Sequence, residues 1–255
     1  MFEIGQKVFI KGDRNIYIID NIVNDDYVLT GYSYRVIKRT VKDNIIPIEE
    51  NDIIIEDQKN ERYKNKVTSL PRGIKKNKIL FGRVLHIDGD QEYLKRCLNL
   101  YKELGIPAEG IYIKENQMSK SIGELVDTLT PDIIVITGHD GYNKKGLNDL
   151  DNYENTKNFI DAIRVVRRKF NNNEVVIIAG ACGSHFEALI GSGANFASSP
   201  KRVNTHTYDP AIVAIKVAST SYNRLIDFND IIKYIENGRD AIGGIETNGK
   251  MRLIL

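Results

Sequence analysis

The stretch PDIIVITGHDG, residues 131–141, runs apolar from Ile133 to Ile136 without alternation and stops on Gly138, His139 and Asp140. Strands of a sheet with one wet face alternate apolar and polar residues. A run without alternation suits a strand covered on both faces, the environment of a parallel sheet. The same texture recurs in KILFGRVLHIDGD (78–90) and EVVIIAGACGS (174–184), and EGIYIKEN (109–116) supplies a further strand. Helical periodicities lie between them. Leu94, Cys97, Leu98, Tyr101 and Leu104 form one, closed by Gly105 and Pro107; Ile122, Leu125, Val126 and Leu129 form another. Phe159, Ile160, Ile163, Val166 and Phe170 form a third, and SHFEALIGSG follows the last run. Strands alternating with amphipathic helices predict an α/β fold over residues 78–255, a mainly parallel sheet flanked by helices. Two more helices are expected from Asp209-Pro210 and through FNDIIKYIENG (228–238), then a hairpin at Asn248-Gly249.

Upstream the texture differs. QKVFIKG, NIYIIDNIV, DYVLTGYSYRVI and NIIPI alternate and are separated by Gly, Asp and Asn turns, so residues 1–56 read as a small bent antiparallel sheet, an SH3-like β-barrel module. Residues 57–77 read as a solvated basic linker. From Asp57 to Lys78 eight Lys or Arg stand against two acids, a run that proteases with a taste for basic residues would cut.

With 42% hydrophobic and 27% charged residues the chain has the balance of a soluble globular protein, and a net charge of +2 gives no reason to expect nucleic acid. No apolar run approaches the roughly 20 residues that span a bilayer. The amino-terminal MFEIGQKVFI lacks a signal-peptide pattern, so a cytoplasmic location is expected. Cys97 and Cys182, the only two cysteines, make no disulfide framework in a reducing compartment. Cys97 falls on the inward face of its helix and reads as a small buried hydrophobe.

Cys182 is different, because it closes a strand. Functional groups of parallel α/β sheets gather beyond the carboxyl ends of the strands, and HIDGD, TGHDG and GACGS all end there. His139 and Cys182 therefore share one edge, on strands expected to be neighbours about 5 Å apart. An imidazole beside a thiol makes a nucleophile and its base, and small neighbours are expected to leave both near the surface. Backbone N–H groups in the tight turns are suited to an oxyanion.

A histidine and an Ala-Cys pair closing consecutive strands resemble the caspase-like cysteine peptidases; the separation here is 43 residues. Longer blocks, VLHIDGD, PDIIVITGHDG, AGACGSHFEALIGSGANFASSP and AIGGIETNGKMR behind a small β domain, resemble the YabG family of sporulation-specific proteases. The resemblance implies a caspase-like cysteine endopeptidase without cofactor or metal, Cys182 its nucleophile and His139 its base, with backbone N–H groups of Asp140 and Cys182 facing the oxyanion. It implies protein substrates among spore-coat and germination-related proteins, cleavage after arginine, and a place in the mother cell and on the coat, with no membrane or nucleic-acid partner. Where clostripain-like enzymes carry an acid two residues before the cysteine, this chain has Gly180, so Asp88 and Asp90 are the candidate partners of the substrate's arginine. Asp140 or Asp88 is the candidate for orienting His139. Self-cleavage is expected near Arg62 or Arg72.

Blander readings accompany these. Cys182 alone reads equally well as a core thiol, and His86, His185 and His206 read as structural histidines, with Asp209 a helix cap. HIDGD and TGHDG hold residue types that bind paired metals in phosphoesterases, although a metallohydrolase leaves Cys182 without a task. A scaffold that docks through its β module predicts no effect of replacing Cys182.

Overall fold

The computed structural model describes residues 2–23, 26–68 and 79–254, and everything below refers to these. Strands β1 (Lys7–Ile10), β2 (Tyr17–Val23), β3 (Asp26–Gly31), β4 (Ile37–Val41) and β5 (Ile45–Pro47) form an antiparallel sheet of order β4-β3-β2-β1-β5. The alternation seen in the sequence becomes a one-sided core of Val8, Tyr17, Ile19, Leu29 and Ile45. A bulge between Ile19 and Asn21 bends β2 against β3.

Helix α1 (Glu50–Thr68) follows. Residues 57–68 of the expected linker are thus helical, while 69–77, with Arg72, fall outside the described residues. The segment contains no Gly or Pro, carries Glu50 and Asp52 in its first turn, and spaces Glu56 and Lys59 three apart at 3.1 Å. Its charge disguised it as linker. Tertiary anchors hold it in place, with Val67 fully buried and the Tyr63 hydroxyl donating to Asp209 Oδ1 at 2.5 Å.

Beyond it, short β6 (Ile79–Leu80) precedes β7 (Val84–Asp88), α2 (Gln91–Leu104), β8 (Ala108–Tyr112), α3 (Met118–Leu129), β9 (Ile133–Thr137) and α4 (Thr156–Arg167). Then come β10 (Val176–Ala179), α5 (Phe186–Gly191), β11 (Phe196–Ser198), α6 (Asp209–Ser219), α7 (Phe228–Ile232), α8 (Gly238–Ala241), β12 (Ile242–Gly244) and β13 (Arg252–Leu253). The large sheet has the order β12-β11-β10-β9-β7-β8, parallel throughout except for β12. This is the expected α/β class. Ile133 and Val135 face the layer of α2 and α6, whereas Ile134 and Ile136 face that of α3, α4 and α5, which is why the runs do not alternate.

GANFASSP contains the short strand β11. One carboxy-terminal expectation is corrected. No hairpin forms at Asn248-Gly249: β12 joins β11, and β13 pairs with β6 instead.

Candidate active site

The register of β9 on β10 pairs Ile136 with Ala179, and His139 and Cys182 each stand three residues beyond that pair, at the same sheet edge. The turn after β10 depends on glycine. Gly180 has φ +102°, and a Cβ there would meet Leu189 Cδ1 at 2.7 Å, so no acid fits at this position. After β9, a Cβ on Gly138 would meet Glu115 Oε1 at 2.3 Å; that same oxygen accepts the His139 N–H at 2.9 Å and fixes the turn.

The edge is covered by the chain itself. The loop between β3 and β4, Tyr32–Val36, leaves the small sheet and lies across the ends of β9 and β10. Thr207 N–H donates to Ser33 O at 3.1 Å and Arg35 N–H to Thr205 O at 3.2 Å, while Tyr34 and His206 form an antiparallel bridge. Arg35 O receives two backbone donors, Asp140 N–H at 3.2 Å and Cys182 N–H at 3.1 Å. Beyond it, Ile37 N–H donates to Asp140 O at 2.9 Å. Two N–H groups on one carbonyl oxygen form an arrangement that stabilises negative charge developing there.

The Arg35 side chain is fully buried, an uncommon state for an arginine. Nη1 donates to Asp88 Oδ2 at 2.7 Å, Nη2 to Thr207 O at 3.1 Å, and the guanidinium carbon lies 5.1 Å from the Tyr93 ring centre. Cys97, buried as expected, forms part of the floor, with Sγ 3.8 Å from Nη2. Asp88 also receives Thr137 Oγ1 at 3.0 Å and Asp90 N–H at 2.9 Å. Burial alone would raise its carboxyl, but the Arg35 charge and the His86 ring hold it well below the usual carboxylate range.

Asp90, expected beside Asp88 as a partner for substrate arginine, faces elsewhere. Its Oδ1 caps α2 through Tyr93 N–H at 2.8 Å, and its Oδ2 lies 3.9 Å from His139 Nε2. Asp140, a candidate for orienting His139, points away: its side chain receives Thr156 Oγ1 at 2.5 Å, Ser184 Oγ at 2.7 Å and the N–H of Asn155 at 2.7 Å. Burial raises its carboxyl despite these donors. The carboxylates of HIDGD are therefore engaged with a guanidinium and a helix end. No group of three or more His, Cys, Asp or Glu among the described residues is arranged to hold a metal.

The expectation that Cys182 and His139 lie near the surface is corrected. They are 1% and 5% exposed, because the Tyr32–Val36 loop and the small sheet cover them, and Cys182 joins that sheet's core with Val36 and Tyr17. Thr205 N–H donates to the sulfur at 3.0 Å, and the Arg35 backbone lies against it. Burial pushes the thiol up to about 12, so it rests protonated. Burial likewise lowers His139, partly offset by Asp90, and its Nε2 is a buried nitrogen without a hydrogen-bond partner.

The other histidines are satisfied structurally. His86 sits between Tyr101 and Thr137 at 3.0 Å each, His185 Nδ1 caps α5 through Ala188 N–H, and His206 bonds Asn60 at 2.9 Å beside Asp209. Arg35 is the residue that sequence reasoning missed: nothing local in GYSYRVIK distinguishes it from a surface arginine.

Residues 6–255 match the family model described as YabG peptidase U57. A curated relative, the sporulation-specific protease YabG of Bacillus subtilis (strain 168), is 46% identical over 175 residues, 68% of this chain. The match spans 60% of that relative's own length.

Proposed function

The chain belongs to the YabG peptidase U57 family, and from that premise we propose that it is a caspase-like cysteine endopeptidase that cleaves proteins after arginine during sporulation. The observation that carries this reading is the double N–H cradle of Asp140 and Cys182 on a carbonyl whose own side chain is an arginine held by Asp88. A substrate arginine in that seat presents its carbonyl carbon to the Cys182 sulfur. His139 takes the thiol proton as the sulfur attacks, and the two N–H groups bear the charge that moves onto the oxygen. The leaving amine collects the proton from His139, and water then hydrolyses the thioester. Asp90 favours the imidazolium that forms midway. Asp88 is the specificity acid, since its charge is matched only by a cation that reaches the pocket floor. Spore-coat and germination-related proteins in the mother cell are the proposed substrates. The chain itself is a further one, although Arg62 lies within α1, where the backbone is not extended.

Labelling with an arginyl acyloxymethyl ketone, followed by mass mapping, tests the reading. The modified atom is expected to be the sulfur of Cys182, with hydrolysis of arginyl peptides lost in Cys182→Ala and His139→Ala. Peptidase activity that survives in Cys182→Ala would remove the thiol from the mechanism.

A further inference from the structure

The loop that covers the cleft enters it as a substrate would. Ser33 and Arg35 pair with the Thr205–Thr207 edge in the alternating pattern of an added antiparallel strand, the mode by which extended peptides are read through their backbone. Arg35 fills the pocket over Asp88, its carbonyl oxygen fills the N–H cradle, and the next residues continue past Asp140. Every polar feature assigned above to substrate is thus already occupied by residues of the same chain. The occupant is also tethered on both sides: Gly31 N–H donates to Val36 O at 2.8 Å, and β3 and β4 continue as a paired ladder. Val36 N–H turns back to Tyr34 O at 2.8 Å, so the chain bends at Arg35 rather than running on extended.

We infer that the Tyr32–Val36 loop is an intramolecular plug, with Arg35 seated as the substrate arginine, so that the folded chain is latent until the loop leaves the cleft. The inference rests on the peptidase reading and adds its regulation. An incoming protein must displace a segment that is present at high effective concentration and anchored by a buried ion pair. The plug also accounts for part of the burial of a proposed nucleophile that is 1% exposed: the Tyr32–Val36 loop occupies the cleft in front of the core that Cys182 shares with the small sheet.

The test compares the rate of Cys182 modification by an arginyl acyloxymethyl ketone in the 255-residue parent, Arg35→Ala and Arg35→Lys. Arg35→Ala empties the pocket, and labelling is expected to rise by about tenfold or more, as the open fraction grows. Arg35→Lys keeps a cation for Asp88, so the variant remains folded even if the alanine form is not, and it should label at an intermediate rate. If the parent cuts its own plug, one water is consumed, leaving an Arg35 carboxylate and a new amino terminus at Val36. Labelling should then rise in step with that terminus, and Cys182→Ala should never show it. Equal labelling of the parent and both variants, with no Val36 terminus, would overturn the plug while leaving the peptidase reading intact. Failure of Cys182 to label in any form would overturn both.

Discussion

At the scale of single residues, Asp88 and Asp90 stand two positions apart and do different work. Asp88 holds the buried Arg35 guanidinium; Asp90 closes α2 and faces His139. Replacing Asp88 by Asn strands a fully buried guanidinium, and loss of one partner of such a pair costs about 3–5 kcal/mol. Urea unfolding should register this loss, whereas a surface-sized change below 1 kcal/mol would contradict the burial. Asp90→Asn should leave the fold largely intact and move the titration of His139. The carboxylate raises that imidazole, so its removal lowers the midpoint, which NMR of the ring Cε1–H can follow. A midpoint that stays or rises would show that the 3.9 Å approach has no electrostatic effect. HIDGD showed that acids were available at this edge, but not which one faced which group. That division depends on the α2 cap, a geometry of three dimensions.

At the scale of elements, what was legible depended on how much of the stabilising surface each element carried in its own pattern. Strands β7, β9 and β10 are buried on both faces, and their near-continuous apolar runs announced them. Strand β11 has three residues, too few for any period, and owes its existence to β10 and β12 on either side. Helix α1 hid for the opposite reason: it is long but mostly charged, and it is held by a few specific anchors. One is the Tyr63 bond to the buried Asp209, so Tyr63→Phe should cost about 1–3 kcal/mol by leaving a buried acceptor short of its donor.

The same anchor sets a pH dependence. Burial pushes Asp209 up to about 7 from an ordinary 3.8, only partly countered by Tyr63. Between those values the folded chain retains a proton that the unfolded chain has released. The contribution to stability is therefore complete below the lower value and lost as pH rises through the upper one. Asp209→Asn should flatten the stability curve across this window. A parent protein whose stability climbs from pH 4 to pH 7 at the same rate as the variant would contradict the assignment.

At the scale of the whole molecule, the small sheet and the large one share a core. Cys182 packs with Val8, Tyr17 and Leu29, and Arg35 spans from one sheet to the acids of the other. The sequence separates two textures cleanly at about residue 56, but carries no mark of this contact, because its partners lie far apart in the chain. Calorimetry should accordingly show one unfolding transition. Two resolved transitions would mean that the sheets melt independently and that the shared core contributes little.

The covering loop carries a consequence for how the molecule is made. Ser33 meets Thr207 across 174 positions of chain, and Tyr34 meets Glu236 across 202. Such distant pairings form late, after the closure entropy of a long loop has been overcome. A ribosome releasing this chain thus delivers the small sheet long before its docking edge exists. The edge on which the proposed chemistry depends is completed only after Thr207 has emerged, 174 positions behind Ser33 of the loop that closes it.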